Sequence, residues 1–81
     1  MTAPETPTLG KFLAARGFPL EAAAVLTDLD HSAISRIVNG RRQARPTTIV
    51  KLARGLGVSA QRMQRMCQAS WDAAHVQRPA E

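Results

Sequence analysis

The chain is poor in cysteine and in aromatic residues. Cys67 is its single cysteine, which excludes an internal disulfide and a zinc site built from CxxC pairs. The aromatic residues are two Phe, one Trp and no Tyr, while Ala and Leu are abundant, a composition that favours packed helices over a sheet. There is no signal-peptide pattern at the start and no apolar run near the roughly 20 residues that span a bilayer. We therefore expect one small soluble domain in a reducing, cytoplasmic setting.

Acidic residues are missing from residues 31–71, and most of the positive charge lies there. The chain has a net charge of +5, from 11 Lys and Arg against 6 Asp and Glu. The cations of the acid-free stretch are Arg36, Arg41, Arg42, Arg45, Lys51, Arg54, Arg62 and Arg65. Such an uneven field attracts polyanions. Nucleic acid is the expected partner, with an acidic protein or a membrane surface as the alternatives.

Apolar residues recur at helical spacing in five segments, which predicts an all-α fold. Their boundaries are marked by the residues that start or stop helices: Thr8 and Gly17, Pro19 and Thr27, Asp30 and Gly40, Pro46 and Gly57, and Ser59 with an end near His75. We expect a flexible N-terminal arm over residues 1–7, a domain over residues 8–75 and a disordered tail over residues 76–81.

The third segment, DHSAISRIVNGRR at residues 30–42, predicts a short helix with a basic exit. The Asp30 carboxylate is expected to cap it, so that the helix begins at His31. Ile34, Ile37 and Val38 fall at i, i+3 and i+4 and predict one buried side. The outward residues are then His31, Ser32, Ser35, Arg36 and Asn39. A polar, positively charged helix of this size suits a DNA major groove, which is about 12 Å wide.

LEAAAVLTDLDHSAISRIVNG at residues 20–40 and GRRQARPTTIVKLARGLGVS at residues 40–59 resemble the lambda-repressor-like (XRE, Cro/CI) helix-turn-helix family. With the first helix, the resemblance covers about residues 9–66. It implies a five-helix helix-turn-helix domain, here with an extended C-terminal helix, that binds double-stranded DNA. The base-contacting residues it implies are His31, Ser32, Ser35 and Arg36. The phosphate-contacting residues it implies are Asn39, Arg41, Arg42, Arg45, Thr47 and Thr48.

Two positions depart from the family pattern. Many members have Gln where Leu20 stands, and that Gln holds a phosphate and braces the recognition helix, which Leu cannot do. The usual glycine of the turn is replaced by Asp28. Because Asp tolerates the left-handed conformation better than most residues, we expect the turn to be preserved.

The last helix carries an apolar stripe that could extend beyond the rest of the fold. We expect Cys67 to be a small core residue and His75 to be an ordinary surface residue. Trp71 could belong to the core of the single chain, but a dimer interface is favoured because interface cores are enriched in Trp. The predicted dimer residues are Met66, Ser70, Trp71 and Ala74.

We therefore predict a transcriptional regulator rather than an enzyme, because no nucleophile–base pair, metal-ligand set or phosphate-binding glycine loop is present. No cofactor, metal, small-molecule ligand or membrane is expected. The simplest form is a Cro-like repressor that binds an inverted-repeat operator as a homodimer, in the bacterial nucleoid, or in the host cytoplasm if phage-encoded. The alternatives are the antitoxin of a toxin–antitoxin module and a helix-turn-helix adaptor that binds only protein.

Overall fold

Five helices follow one another in the computed structural model, which describes residues 6–75. They are α1 (Leu9–Ala15), α2 (Leu20–Thr27), α3 (His31–Val38), α4 (Pro46–Leu56) and α5 (Ala60–Ala74). No strand is present within this part of the chain. The all-α, five-helix prediction is confirmed. The predicted tail, and most of the predicted N-terminal arm, lie outside the described residues.

Two of the predicted helix caps are formed by side chains. The Thr8 hydroxyl accepts a hydrogen bond from the Lys11 amide at 3.1 Å, and the Ser59 hydroxyl accepts one from the Arg62 amide at 3.1 Å. Each bond satisfies one of the amides that have no partner in the first turn of a helix. The sequence therefore predicted where α1 and α5 begin and which side chains cap them.

The predicted Asp30 cap is wrong, although α3 does begin at His31. The Asp30 side chain makes no capping hydrogen bond, and its backbone carbonyl accepts the Ile34 amide at 3.1 Å. Asp30 is exposed, so water can solvate its carboxylate in place of the helix amides. The start of α3 therefore does not depend on a side-chain cap.

The tight turn between α2 and α3 is made by Asp28. This residue ends α2 in the left-handed conformation, with φ 58°. The next amide, that of Leu29, donates to the Ala24 carbonyl at 3.2 Å and closes the turn. Leu29 is half-buried and packs against the core. Asp28 thus takes the left-handed conformation expected of it, and the turn is formed.

The core lies between all five helices and is made of aliphatic and sulfur-containing side chains with a single Phe. Its largest fully buried members are Leu9, Ile34, Leu52, Met63 and Met66. α2 and α4 pack tightly at Gly55, where an added Cβ would meet the Leu26 carbonyl oxygen and lie 2.7 Å from Thr27 Cγ2. These contacts fix α2, and with it the turn that leads into α3.

The C-terminal half of α5 packs on α1 and on the exit from α3. The Leu9 amide donates to the Ser70 hydroxyl at 2.8 Å in the interior. Gly40, just after α3, has φ 71° and lies so close to α5 that an added Cβ would meet Ala74 Cβ and sit 2.9 Å from the Ser70 carbonyl oxygen. α5 therefore holds the end of α3 in place.

Candidate nucleic-acid interface

α3 presents one face to the core and a polar face to the outside. Ile34 and Ile37 are buried, and Val38 is half-buried. The exposed residues of the helix are His31, Ser32 and Arg36. The two sides follow from the i, i+3, i+4 spacing of the branched residues, since side chains three and four apart share a helix face. The structure thus brings three of the four predicted base-contacting residues to one open face.

Ser35, the fourth of these residues, is less available. It is half-buried, and Asn39 Nδ2 donates both to its backbone carbonyl, at 2.9 Å, and to its hydroxyl, at 3.3 Å. The Asn39 side chain thereby adds to the bond that the Asn39 backbone amide already donates to the Ser35 carbonyl at the end of α3. Asn39 and Ser35 form a local pair, and the Ser35 hydroxyl proton is still free to be donated.

The exit from α3 is a basic loop anchored at one point. Arg41, Arg42 and Arg45 are all exposed. The Arg41 amide donates to the Arg36 carbonyl at 2.8 Å, and the preceding residue, Gly40, is buried against α5. Arg41 is therefore carried by a backbone of fixed position, and the side chains of all three arginines are exposed to solvent.

The start of α4 offers free amides next to this loop. Pro46 is the first residue of the helix, and no side chain caps it. Thr47 is exposed and Thr48 half-buried. Unsatisfied amides at a helix start, with the positive end of the helix dipole, suit a phosphate oxygen. The two threonines thus lie at a helix start whose amides suit a phosphate oxygen.

An open groove of about 300 Å³ runs between the α2–α3 turn, the exit loop and α4. One wall carries Asp28 and Asp30, while the residues from the loop and α4 include Arg42, Gln43 and Lys51. The sequence analysis counted Lys51 among the cations that attract a polyanion but predicted no contact for it, and it gave no role to Gln43. The spacing of three residues between Thr48 and Lys51 could have indicated that Lys51 lies beside the predicted phosphate contacts, because residues three apart share a helix face.

Of the four predicted dimer residues, two are buried inside the single chain. Met66 is in the core and the Ser70 hydroxyl accepts the Leu9 amide, so neither is open to a second copy. Ala74 is exposed and lies against Gly40. Trp71 is half-buried, with its ring stacked on that of His75 at a centroid distance of 3.8 Å. Of the four predicted dimer residues, Trp71 and Ala74 therefore remain accessible to a second copy.

Cys67 lies beside Trp71 in a shallow groove between α5 and the segment before α4. Its side chain is buried, as expected for a small core residue. Burial disfavours the thiolate and raises the pKa of Cys67 from 9.0 to about 11. The thiol is neutral and poorly reactive at physiological pH.

The stretch of chain that contains α2 and α3 matches a known protein family. A family model described as helix-turn-helix matches residues 9–63, which run from the start of α1 into α5. The chain belongs to this family. It is the lambda-repressor-like, or XRE, group that the sequence resembles. No curated protein and no solved structure matches the chain.

Membership identifies the chain as a DNA-binding helix-turn-helix regulator. α2 and α3 are the two helices of the motif, with Asp28 in the left-handed position of its turn. Leu20, at the first position of α2, packs against the core; the apolar side chain therefore adds to the packing of the helix-turn-helix instead of contacting a phosphate.

Residues 6–75 also bear on membrane insertion and on metal binding. Their helices include none with the length and apolar character needed to cross a membrane. Nor do these residues contain a group of three or more His, Cys, Asp or Glu placed to hold a metal ion.

Proposed function

We propose that the protein binds double-stranded DNA sequence-specifically by placing α3 in the major groove. The observation that carries this proposal is the open face of α3, on which His31, Ser32 and Arg36 are exposed while the opposite face is fixed in the core. A helix held rigidly from behind keeps its side chains in a defined position against base edges. Recognition helices of this motif contact bases chiefly through their N-terminal residues.

Base reading is assigned to the predicted residues according to their chemistry. Arg36 can donate two hydrogen bonds to O6 and N7 of a guanine. His31 can donate or accept at a purine edge, depending on its tautomer. Ser32 and Ser35 are permissive, because a hydroxyl both donates and accepts, and the Ser35 hydroxyl already accepts one bond from Asn39. Arg36 is therefore the residue with the clearest sequence preference.

Phosphate contacts are assigned to the exit loop and the start of α4. Arg41, Arg42 and Arg45 supply mobile charges, and Thr47 and Thr48 supply hydroxyls and amides. Lys51 extends this row along α4. Asn39 can join it only by giving up its bonds to Ser35. Such contacts fix position and orientation without reading sequence.

Arg36→Ala and Arg41→Ala form a matched pair that tests this division, since both remove one exposed Arg. Binding to a selected site and to random DNA is measured over a range of salt concentrations. Arg36→Ala should reduce discrimination at one base position by about 1 to 3 kcal/mol, whereas Arg41→Ala should weaken all sequences alike and reduce the salt slope by about one unit. Equal losses on selected and random DNA for both variants would contradict the proposal.

We propose further that the protein acts as a Cro-like repressor, a homodimer on an inverted repeat. Two recognition helices would then enter successive major grooves about 34 Å apart. The support for a dimer is Trp71, a large aromatic side chain only half-buried in the single chain, beside a groove that includes Ile49 and Gln64. Interface cores are enriched in such residues.

Sedimentation of Trp71→Ala tests the dimer, with Trp71→Phe as the control that keeps an aromatic ring. Trp71→Ala should raise the monomer fraction at a given concentration, while Trp71→Phe should change it much less. Circular dichroism establishes that both variants are folded. An unchanged monomer fraction for folded Trp71→Ala would assign Trp71 to the packing of the single chain.

A further inference from the structure

The Asp30 carboxylate makes no hydrogen bond within residues 6–75, although it stands at the start of α3. It makes no capping hydrogen bond to α3, and Asp30 is exposed. Only the backbone carbonyl of the residue is used, as the acceptor of the Ile34 amide. A charged group is therefore presented at this point without contributing the hydrogen bond that would explain an Asp there.

The carboxylate lies on the side of the molecule that the proposed function turns toward DNA. Asp30 directly precedes His31 and Ser32, both exposed, so three consecutive polar residues surround the N-terminal end of α3. Asp30 also lines the groove that contains Thr48 and Lys51. An uncompensated carboxylate is repelled by a phosphate backbone. Asp30 therefore lowers affinity for DNA unless it is compensated, either by Arg42 or Lys51 in the same groove or by a donor on the DNA.

We infer that Asp30 determines specificity by accepting a hydrogen bond from the N4 amino group of a cytosine in the major groove. This inference rests on the proposed function. An ionised carboxylate is an acceptor only. Guanine presents two acceptors and thymine an acceptor and a methyl group in the major groove, while adenine pairs its donor with the acceptor N7. Cytosine, whose N4 donates, is the base that a carboxylate fits best.

The second acid of the turn provides a matched control. Asp28 is also exposed and lines the same groove. It ends α2 instead of starting α3, and its left-handed conformation, at φ 58°, is tolerated by Asn. Asp30→Asn and Asp28→Asn each remove one negative charge with almost no change in size, so a general charge effect must appear in both.

The experiment is selection of bound sites from a random duplex library with the wild-type protein, Asp30→Asn and Asp28→Asn. We expect a cytosine at one position of the wild-type half-site. For Asp30→Asn, the preference for cytosine at that position should fall by about tenfold. Cytosine should be lost from the motif or replaced by adenine, which Asn contacts at N6 and N7. Asp28→Asn should select the wild-type motif. Thermal melting establishes that each variant is folded.

Three results would overturn the assignment. A folded Asp30→Asn that selects the wild-type motif would show that the carboxylate reads no base. The same altered motif with Asp28→Asn would show that charge in the turn, rather than a contact by Asp30, sets the preference. A folded wild-type protein that selects no motif would overturn the proposed function and the role of Asp30 together, which separates that failure from the first two.

Discussion

Replacing Gly40 by Ala should destabilise the protein through two separable effects. The first is backbone strain, because Gly40 has φ 71°, a conformation that costs an L-residue about 1 to 2 kcal/mol. The second is steric, because the new Cβ would meet Ala74 Cβ and lie 2.9 Å from the Ser70 carbonyl oxygen. Overpacking of this kind costs about 1 to 3 kcal/mol, since α5 or the loop must shift.

Gly57 offers a control that contains only the first effect. Its φ is 75°, and an added Cβ would have nothing within 4 Å. The difference between Gly40→Ala and Gly57→Ala therefore isolates the close approach of the exit loop to α5, and the gain from a stiffer unfolded chain cancels between them. We expect Gly40→Ala to be the less stable by about 1 to 3 kcal/mol, and 1 kcal/mol corresponds to about 4 to 8 °C in Tm for a domain of this size.

Thermal and urea unfolding, followed by circular dichroism, measure this difference. Adding Ala74→Gly to Gly40→Ala should recover part of the steric loss, and a double-mutant cycle gives the coupling between the two positions. Because Arg41 follows Gly40, Gly40→Ala should also weaken binding to all DNA sequences alike. Equal stabilities of Gly40→Ala and Gly57→Ala would refute the claim that α5 holds the exit loop.

Two further predictions concern a cap and the buried thiol. Ser59→Ala should lower the free energy of unfolding in urea by about 0.5 to 2 kcal/mol, because it removes an observed cap. Asp30→Ala should lower it less, because no cap bond is lost. A larger loss for Asp30→Ala would contradict this ranking. Since burial raises the pKa of Cys67 from 9.0 to about 11, the unfolded chain ionises first as pH rises. The neutral thiol therefore contributes fully to the free energy of unfolding below pH 9, and this contribution is lost as the pH rises toward 11. Cys67→Ala should reduce the decrease in unfolding free energy between pH 9 and pH 11. An unchanged decrease would mean that other groups cause it.

Local signals along the chain predicted where helices begin and end. The Thr8 and Ser59 caps, the Pro46 start and the left-handed Asp28 each depend on residues within a few positions of one another, which is why a single sequence suffices to find them. The two faces of α3 were predictable for the same reason, because the spacing of Ile34 and Ile37 within one helix defines its buried side.

Contacts between distant segments were not predictable in this way. Met66 and Ser70 lie on the apolar stripe of α5, and periodicity indicates that such a stripe is covered without indicating whether the same chain or a second copy covers it. The structure places α1 there, with the Leu9 amide bonded to the Ser70 hydroxyl. The absence of the expected Asp30 cap was not predictable either, because it depends on the exposure of the side chain in the folded protein. An exposed carboxylate can be hydrogen-bonded by water instead of by helix amides.

The sequence by itself determined the five helices, the family and the polar face of α3, because periodicity, capping residues and motif spacing are properties of neighbouring residues. Only the tertiary structure decided which elements support the polar face of α3 and that the carboxylate next to it makes no capping bond. Gly40 meets Ala74 across 34 positions of the chain, and the Asp30 carboxylate is left uncapped at the edge of a groove shared with α4. Both depend on how helices pack against one another, and the pattern of a single helix does not contain the position of its neighbours.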